Sequence, residues 1–252
     1  MSTNSQIPGT TSKKCKKKYG LMMALQVGSQ TVILLGTRDV GAAALRRPVW
    51  NTVHAMDEKR RERDDVTFEE FRALPTESYG ATSATAPLAL GTIISMTIEY
   101  PAEMRKLQDE IETQVGSHRL PTSSDLPNLP YLQAFIHESL RFKTIGSLGI
   151  PHAVGHEDQY MSYKIPEGAI IFPFWWALNH DAKTYPDPIS FKPQRWIDNP
   201  SLPLPAGFGK RSCTGQAFVG NMLMTVMACL VWGFGFEAEE VFWTYSDPGG
   251  CV

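Results

Sequence analysis

The sequence has few cysteines. Its 252 residues include only four, and no two of them are spaced as the Cys-x-x-Cys pair of a structural zinc site. Four cysteines at irregular positions are also too few for a disulfide framework. The cysteine count therefore excludes a disulfide-rich secreted domain and a zinc-knuckle module, and it predicts a reducing compartment.

The sequence also lacks an excess of charge of either sign. Lys and Arg number 24 against 26 Asp and Glu, so the formal net charge is -2. Such a chain carries no broad positive field for a phosphate backbone, and we do not expect nucleic acid as a partner. Hydrophobic residues make up 42% of the chain. This composition is that of a globular protein with one domain, or two at most.

Long hydrophobic runs are scarce. Residues 217–236 carry no charge over about 20 residues, the length that crosses a bilayer core, but Asn221, Thr225 and several glycines interrupt them. A membrane span and a buried helix that ends at Gly233 both fit, and we favour the buried helix. Near the N-terminus, lysines precede an apolar stretch that polar residues interrupt and that lacks a small-residue cleavage site, so we predict no signal peptide.

Changes in composition divide the chain into four segments. Residues 1–17 are rich in Ser, Thr and Lys and predict a disordered tail. Residues 18–47 predict a hairpin that turns at Gly28–Ser29, followed by a short helix. Residues 48–80 are densely charged and predict a linker. Residues 81–252 are apolar at helical spacing and predict a helical domain.

The spacing of apolar residues, together with the positions of proline and glycine, predicts the helices and strands of this last segment. Four helices are expected, one after Gly80 with Pro87 in its first turn or as a kink, one from Pro101 to Gly116, one from Pro130, and one from Phe218 to Trp232. Residues 159–175 predict a second hairpin that turns at Pro166–Gly168. The proline-rich stretch that follows predicts irregular structure. The fold class is therefore mainly α with small β-hairpins.

The segment Ala206–Gly215 places a cysteine in a suggestive setting. Gly209 and Gly215 flank Cys213, and a glycine backbone can approach a flat group closely. The thiol lies at the start of a helix beside Arg211, where positive charge favours the thiolate. A thiolate metal ligand fits this pattern. A buried structural cysteine fits it equally well when the segment is taken alone.

Two further pieces carry little information in isolation. Glu138 and Arg141 are three apart on the helix from Pro130, so their side chains share a face and can form an ion pair. Arg195 lies in a short stretch beside the aromatic Trp196.

Taken in order, however, these pieces resemble the haem-thiolate cytochromes P-450, and closely the fungal microsomal type. The ExxR motif appears as Glu138–Arg141, the PERF/W segment as Pro193–Trp196, and the haem-binding loop as Ala206–Gly215. The resemblance covers residues 81–236, and residues 19–47 are similar to the first hairpin and following helix of that family. It implies a partial P-450 fold, made of the C-terminal haem-binding half, with residues 81–252 as the haem-binding domain, plus the first hairpin.

The resemblance also implies a cofactor and its ligands. The cofactor would be haem b, with Cys213 as the axial ligand of the iron. Arg211 would hold a haem propionate, and His152 is the expected second propionate partner. Phe208 and Gly209 would contact the haem from the same loop.

Two roles follow for residues outside that loop. Glu138, Arg141 and Arg195 would form a buried ion network behind the haem. Thr85 would be the hydroxyl that directs protons toward bound oxygen, although an ordinary helix threonine fits the position equally well. Ala84 stands where the family carries an acid, so proton delivery would depend on water.

The resemblance implies an O2-dependent monooxygenase that hydroxylates or oxidises a small apolar metabolite in fungal secondary metabolism. Its electrons would come from an NADPH-dependent flavoprotein reductase. We expect a cytoplasmic or endoplasmic-reticulum-associated protein, since no N-terminal anchor is evident.

Two alternatives stay open. Between Arg47 and Gly80 the family would have a long series of helices, and the chain resembles a member that lacks much of its middle and both ends. A catalytically incompetent, truncated remnant is therefore the first alternative. The second is an enzyme that uses Cys213 as a nucleophile beside His152 or His180.

Overall fold

The computed structural model describes residues 22–27, 29–37, 50–52, 68–204 and 212–237. The helices in these ranges are α1 (Phe68–Glu99), α2 (Pro101–Gln114), α3 (Pro130–Phe142), α4 (Trp175–Asn179), α5 (Gln194–Asp198) and α6 (Gln216–Gly233). The strands are β1 (Met22–Val27), β2 (Gln30–Leu35), β3 (Trp50–Thr52), β4 (His152–Val154), β5 (Asp158–Tyr160), β6 (Tyr163–Ile165) and β7 (Ile170–Phe172). The predicted fold class, mainly α with small β-structure, is confirmed. The predicted tail at 1–17 and the helix that follows the first hairpin lie outside the described residues.

The β-strands form two separate sheets. The larger has the strand order β1-β2-β7-β4-β3, with β2 and β7 parallel and the other neighbours antiparallel. Val27 pairs with Gln30, so β1 and β2 form the hairpin that the sequence predicted. The smaller sheet consists of β5 and β6.

The second predicted hairpin is wrong in its pairing. The turn at residues 166–168 separates β6 from β7, but these two strands do not pair with each other. The hairpin joins β5 and β6, with Tyr160 opposite Tyr163. Strand β7 instead pairs with β2, where Ile33 lies opposite Ile171 and both are buried. A distant apolar strand thus competes successfully with the local partner, and local turn signals cannot reveal this.

Helix α1 is longer than its predicted counterpart. It begins at Phe68 and therefore includes residues 68–80, which the sequence assigned to the charged linker. Charge density does not oppose a helix, since Glu, Arg, Ala and Leu are all good helix formers. Pro87 consequently lies in the interior of α1 and not in its first turn. Residues 53–67 of the predicted linker lie outside the described residues.

The other long helices begin and end close to where the sequence places them. Proline is the first residue of both α2 and α3, and Gly116, with φ of 79°, donates its N–H to the last turn of α2. Helix α6 ends at Gly233 as predicted. The proline-rich stretch is less irregular than expected, because α4 and α5 form short helices at its two ends.

The main hydrophobic core lies where α1, α2, α3 and α6 meet. Its fully buried members include Ile93 and Met96 of α1, Leu107 and Ile111 of α2, Leu132 and Phe135 of α3, and Met227 and Ala228 of α6. Among the described residues, α6 is the one helix long and apolar enough to cross a membrane by length and composition. One face of it is buried in this core, but only 28% of the helix is buried, so the preference for a buried helix over a membrane span stays a prediction.

Gly149 fixes the connection between α3 and the sheet. It adopts φ of +76°, and a Cβ built there would lie 2.6 Å from Nε1 of Trp175 and collide with Pro173. Beside it, the N–H of Phe174 donates to the carbonyl of Leu148 at 3.1 Å. This close approach requires glycine both for its conformation and for its size.

Comparison of two glycine variants tests this account. Gly168 has a similar φ of +75°, but no atom lies within 4 Å of a Cβ built there. We expect Gly168→Ala to cost about 1 to 2 kcal/mol from backbone strain alone. Gly149→Ala should cost about 3 kcal/mol or more, because overpacking adds to that strain. Urea unfolding of the two variants measures the difference, and equal losses would contradict the close packing at Gly149.

Candidate functional site

Helix α3 presents the predicted Glu138 and Arg141 and is anchored at its first turn by α2. The carboxylate of Glu110 accepts hydrogen bonds from the N–H groups of Tyr131 (2.7 Å) and Leu132 (2.9 Å). These N–H groups have no partner within their own helix, and the helix dipole stabilises a negative charge near them. Burial raises the pKa of Glu110, while the two backbone bonds oppose the rise. Sequence reasoning missed Glu110, although the absence of a local capping residue before Pro130 indicates a cap from elsewhere.

The carboxylate of Glu138 lies at the centre of a buried polar cluster. Its Oε1 accepts from Arg141 Nη2 at 2.8 Å, from Arg195 Nε at 3.0 Å and from the backbone N–H of Lys192 at 2.9 Å. Its Oε2 accepts from Arg141 Nε at 2.8 Å and from Trp196 Nε1 at 2.9 Å. The side chains of Glu138 and Arg141 are fully buried, and that of Arg195 is 8% exposed. The structure thus brings together the three residues that the sequence grouped.

Both arginines also bind backbone carbonyls of the chain that runs from α4 to α5. Arg141 Nη1 donates to Asn179 and Pro188, each at 2.9 Å. Arg195 donates to Pro186 at 2.7 Å and to Ser190 at 3.2 Å. The cluster therefore fastens this irregular segment to α3.

The negative charge of Glu138 is stabilised by its hydrogen-bond donors. Burial opposes ionisation of Glu138, but the hydrogen bond and charge of Arg141, together with the N–H donors of Lys192 and Trp196, hold the pKa of its carboxyl below the ordinary value. A buried carboxylate with this many donors stays ionised through the neutral range. The cluster is therefore an ion pair whose remaining hydrogen-bonding sites are satisfied.

Trp196 is a functional residue of the cluster that sequence reasoning did not single out as a donor. Its indole ring lies 5.1 Å from the ring of His137 in an edge-to-face arrangement. Burial lowers the pKa of His137 to about 4, so this imidazole is neutral at pH 7. The aromatic residue directly after Arg195 is the signal that could have identified this donor.

Cys213 lies just before α6, with an exposed thiol. The N–H of Gln216 donates to its carbonyl at 3.3 Å, and Gly215 caps the helix. A Cβ built on Gly215 would lie 3.9 Å from the Cys213 Sγ, which is an ordinary van der Waals contact, so the space beside the sulfur does not itself require glycine. An exposed sulfur at a helix N-terminus fits a ligand thiolate, whereas the buried structural cysteine that the sequence also allowed does not fit this exposure.

The remaining predicted residues lie on other elements or outside the described ranges. Thr85 is exposed on α1, and His152 is buried in β4, opposite Ile171 of β7. His180 stacks on Trp176 at 4.4 Å, and its Nδ1 lies 2.9 Å from the Trp176 carbonyl oxygen. The haem-loop residues Phe208, Gly209 and Arg211 lie outside the described residues.

The donor set of the described residues fits haem iron better than a free metal ion. Within the described ranges, no group of three or more His, Cys, Asp or Glu side chains is arranged to hold a metal. A single accessible thiolate suffices for an iron that a porphyrin already ligates. The residues present therefore fit a haem group with Cys213 as its protein ligand.

Removal of the negative charge at the centre of the cluster should destabilise the folded state. Glu138→Gln leaves two buried guanidinium groups without their counter-charge, and we expect a loss of about 3 to 5 kcal/mol in the free energy of unfolding. The matched control is Glu99→Gln, because Glu99 pairs with Lys143 on the surface with 48% of its side chain exposed. That variant should lose less than about 1 kcal/mol. Urea unfolding of both proteins decides, and a small loss for Glu138→Gln would contradict the assigned charge balance.

The neutral state of His137 predicts a pH dependence. The unfolded chain protonates this imidazole near its ordinary pKa of 6.5, whereas the folded chain does so only near 4. Stability should therefore fall as the pH drops through this window, by up to about 3 kcal/mol from this group. His137→Gln should flatten this part of the profile, and His118→Gln, at an exposed position, should leave it unchanged. Urea unfolding between pH 7.5 and 4 provides the measurement.

Comparisons with known proteins show the family of this chain. The family model for cytochrome P450 matches residues 46–244. A cytochrome P450 monooxygenase of Aspergillus aculeatus is 34% identical to this chain, and the match covers 78% of this chain and 38% of that protein. Fumitremorgin C synthase of Neosartorya fischeri is 39% identical, and the match covers 79% of this chain and 39% of that protein. A zebra fish cytochrome P450, solved with abiraterone, superposes with a TM-score of 0.65 at 28% identity, over 71% of this chain and 42% of that one. The chain spans about two fifths of the length of these curated relatives. It belongs to the cytochrome P450 family.

Proposed function

We propose that this chain is the haem-binding part of a monooxygenase that oxidises a small apolar metabolite of fungal secondary metabolism. The observation that carries the proposal is the exposed thiol of Cys213 at the start of α6. Haem bound there would supply the activation of O2 for insertion of one oxygen atom into the substrate. The electrons would come from an NADPH-dependent flavoprotein reductase.

Each candidate residue has one task in this proposal. Cys213 would ligate the iron through its sulfur. Arg211 and His152 hold the haem propionates by charge-assisted hydrogen bonds. Phe208 and Gly209 would contact the haem from the same loop, as the resemblance implies.

The ion cluster acts as the support of this site. Glu138, Arg141 and Arg195 hold α3 against the segment that runs toward the cysteine loop. None of the three is proposed to exchange a proton during the reaction, since the carboxylate is saturated by donors and both partners are guanidinium groups.

Thr85 of α1 would hold a proton toward the oxygen, as the resemblance implies. Its position on an exposed face of α1 gives water access to the hydroxyl. Ala84, directly before it, has no group that exchanges protons, so water is the proton source in this proposal. A cytoplasmic or endoplasmic-reticulum-associated location stays a prediction that rests on the resemblance to the microsomal type.

A second candidate function is a haem-binding remnant without monooxygenase activity. The observation that favours it is the exposure of apolar side chains on α1 and at the start of α6. Leu88 of α1 is 60% exposed and Phe218 of α6 is 69% exposed. Water at this face would weaken every electrostatic interaction that the reaction needs.

Ligation by Cys213 has a direct spectroscopic test. The purified chain, loaded with haem, reduced and exposed to carbon monoxide, should show the red-shifted Soret band of thiolate-ligated haem. Cys213→Ala should abolish that band. Cys229→Ala is the matched control and should retain it, because Cys229 is a half-buried free thiol on α6 whose Sγ lies 3.7 Å from the Pro121 carbonyl.

The outcomes separate the candidate functions. The thiolate band together with NADPH-dependent product formation in the presence of a reductase supports the monooxygenase. The same band without turnover of any substrate supports the remnant. Identical bands in Cys213→Ala and in the unaltered chain would refute the ligand assignment, and labelling of Cys213 by a thiol-directed electrophile with loss of a hydrolytic activity would favour the cysteine nucleophile.

A further inference from the structure

Trp196 connects the buried carboxylate to the segment that leads into the cysteine loop. It lies in α5 with only 6% of its surface exposed. At one edge of the ring, Nε1 donates to Oε2 of Glu138 at 2.9 Å. A buried indole N–H needs such an acceptor, and a charged one makes the bond stronger.

The ring of Trp196 also belongs to a small apolar cluster. Ala134 of α3 and Tyr185 are buried in the same cluster, and Leu202 and Leu204 pack against it. The hydroxyl of Tyr185 donates to the carbonyl of Pro203 at 2.6 Å. Residues 202–204 are therefore held by packing and by a hydrogen bond only a few residues before the loop of Cys213.

The indole N–H is one of only two donors to one oxygen of the Glu138 carboxylate. Oε2 of Glu138 has two donors, Arg141 Nε and Trp196 Nε1, so loss of the indole N–H leaves this oxygen with Arg141 alone. Oε1 keeps its three donors in either case. An ionised oxygen that loses a donor in a buried site bears a large desolvation cost.

Other titratable groups surround the same carboxylate. The guanidinium groups of Arg141 and Arg195 face it from α3 and α5, and the Tyr185 ring lies 5.4 Å from the Arg141 guanidinium carbon. The ring of His137 on α3 packs edge-to-face against the indole ring. Tyr100, which follows α1, interacts with the charge of Glu138 at longer range.

We propose that Trp196 is a positioning residue of the haem site, which orients Glu138 through its indole N–H and anchors residues 202–204 through its ring. The inference rests on the proposed function, because only a cofactor held by the Cys213 loop gives this anchoring a chemical consequence. Phenylalanine at this position would keep the packing but would lose the bond to the carboxylate.

The first test is haem retention in Trp196→Phe. Haem transfer to an excess of a haem-scavenging apoprotein should be about tenfold faster or more from this variant than from the unaltered chain, as expected for loss of a charge-assisted hydrogen bond. The matched control is Trp232→Phe, because the indole of Trp232 donates to the carbonyl of Gly116 at 2.9 Å, away from the cluster. The control should stay within about twofold of the unaltered rate. Equal transfer rates for the two variants would overturn the proposal.

A second test isolates the hydrogen bond from the packing of the ring and needs no haem. In a double-mutant cycle, Trp196→Phe should raise the unfolding equilibrium constant about tenfold or more when Glu138 is present, but only a few-fold in the Glu138→Gln background. The parallel cycle with Trp232→Phe should show no coupling. Equal effects of Trp196→Phe in both backgrounds would overturn the role of the indole N–H.

The two tests keep the proposals distinguishable. A chain that never binds haem refutes the proposed function, and the cycle still reports the bond between Trp196 and Glu138. If Glu138→Gln does not fold, the effect of Trp196→Phe is followed in acid in a His137→Gln background, which removes the titration of the imidazole that packs on the indole. A lost bond to an ionised carboxylate predicts that the destabilisation shrinks as Glu138 takes up a proton, whereas a destabilisation that is constant with pH would overturn the proposal.

Discussion

The rest of the structure depends on one buried charge, the carboxylate of Glu138. A carboxylate without solvent is tolerated only if donors replace the water that it loses. Five hydrogen bonds do so, and they come from α3, from α5 and from the backbone between them. Because each donor must lie at its place for the charge to be stable, this single group determines how an irregular, proline-rich segment lies against a helix.

The ion cluster and the cysteine differ in their access to water. The side chains of Glu138 and Arg141 are fully buried, whereas Cys213 and Phe218 are exposed at the start of α6. In the proposed function, the buried cluster supports the segment that leads to the cysteine loop, and the access of water to the bound haem determines whether the chain can also catalyse.

The sequence predicted well those elements whose boundaries have local causes. Pro101 and Pro130 start helices, while Gly116 and Gly233 lie where helices end, so α2, α3 and α6 were expected close to their observed limits. The hairpin of β1 and β2 follows from two apolar runs around a short turn. Predictions that required a choice between distant partners failed, since β7 pairs with β2 and not with β6. The start of α1 also differs from the prediction, because a densely charged stretch can still form a helix.

The sequence by itself determined which residue types were present for the chemistry, and it placed Glu138 and Arg141 on one helical face, because spacing within a helix is a local property. It also marked Cys213 by its glycines and its position before α6. Only the tertiary structure decided that Trp196, 58 residues from Glu138, donates to that carboxylate, and that Glu110 caps α3 from another helix. Contacts between distant residues arise from the packing of whole elements, and no local pattern of residues encodes that packing.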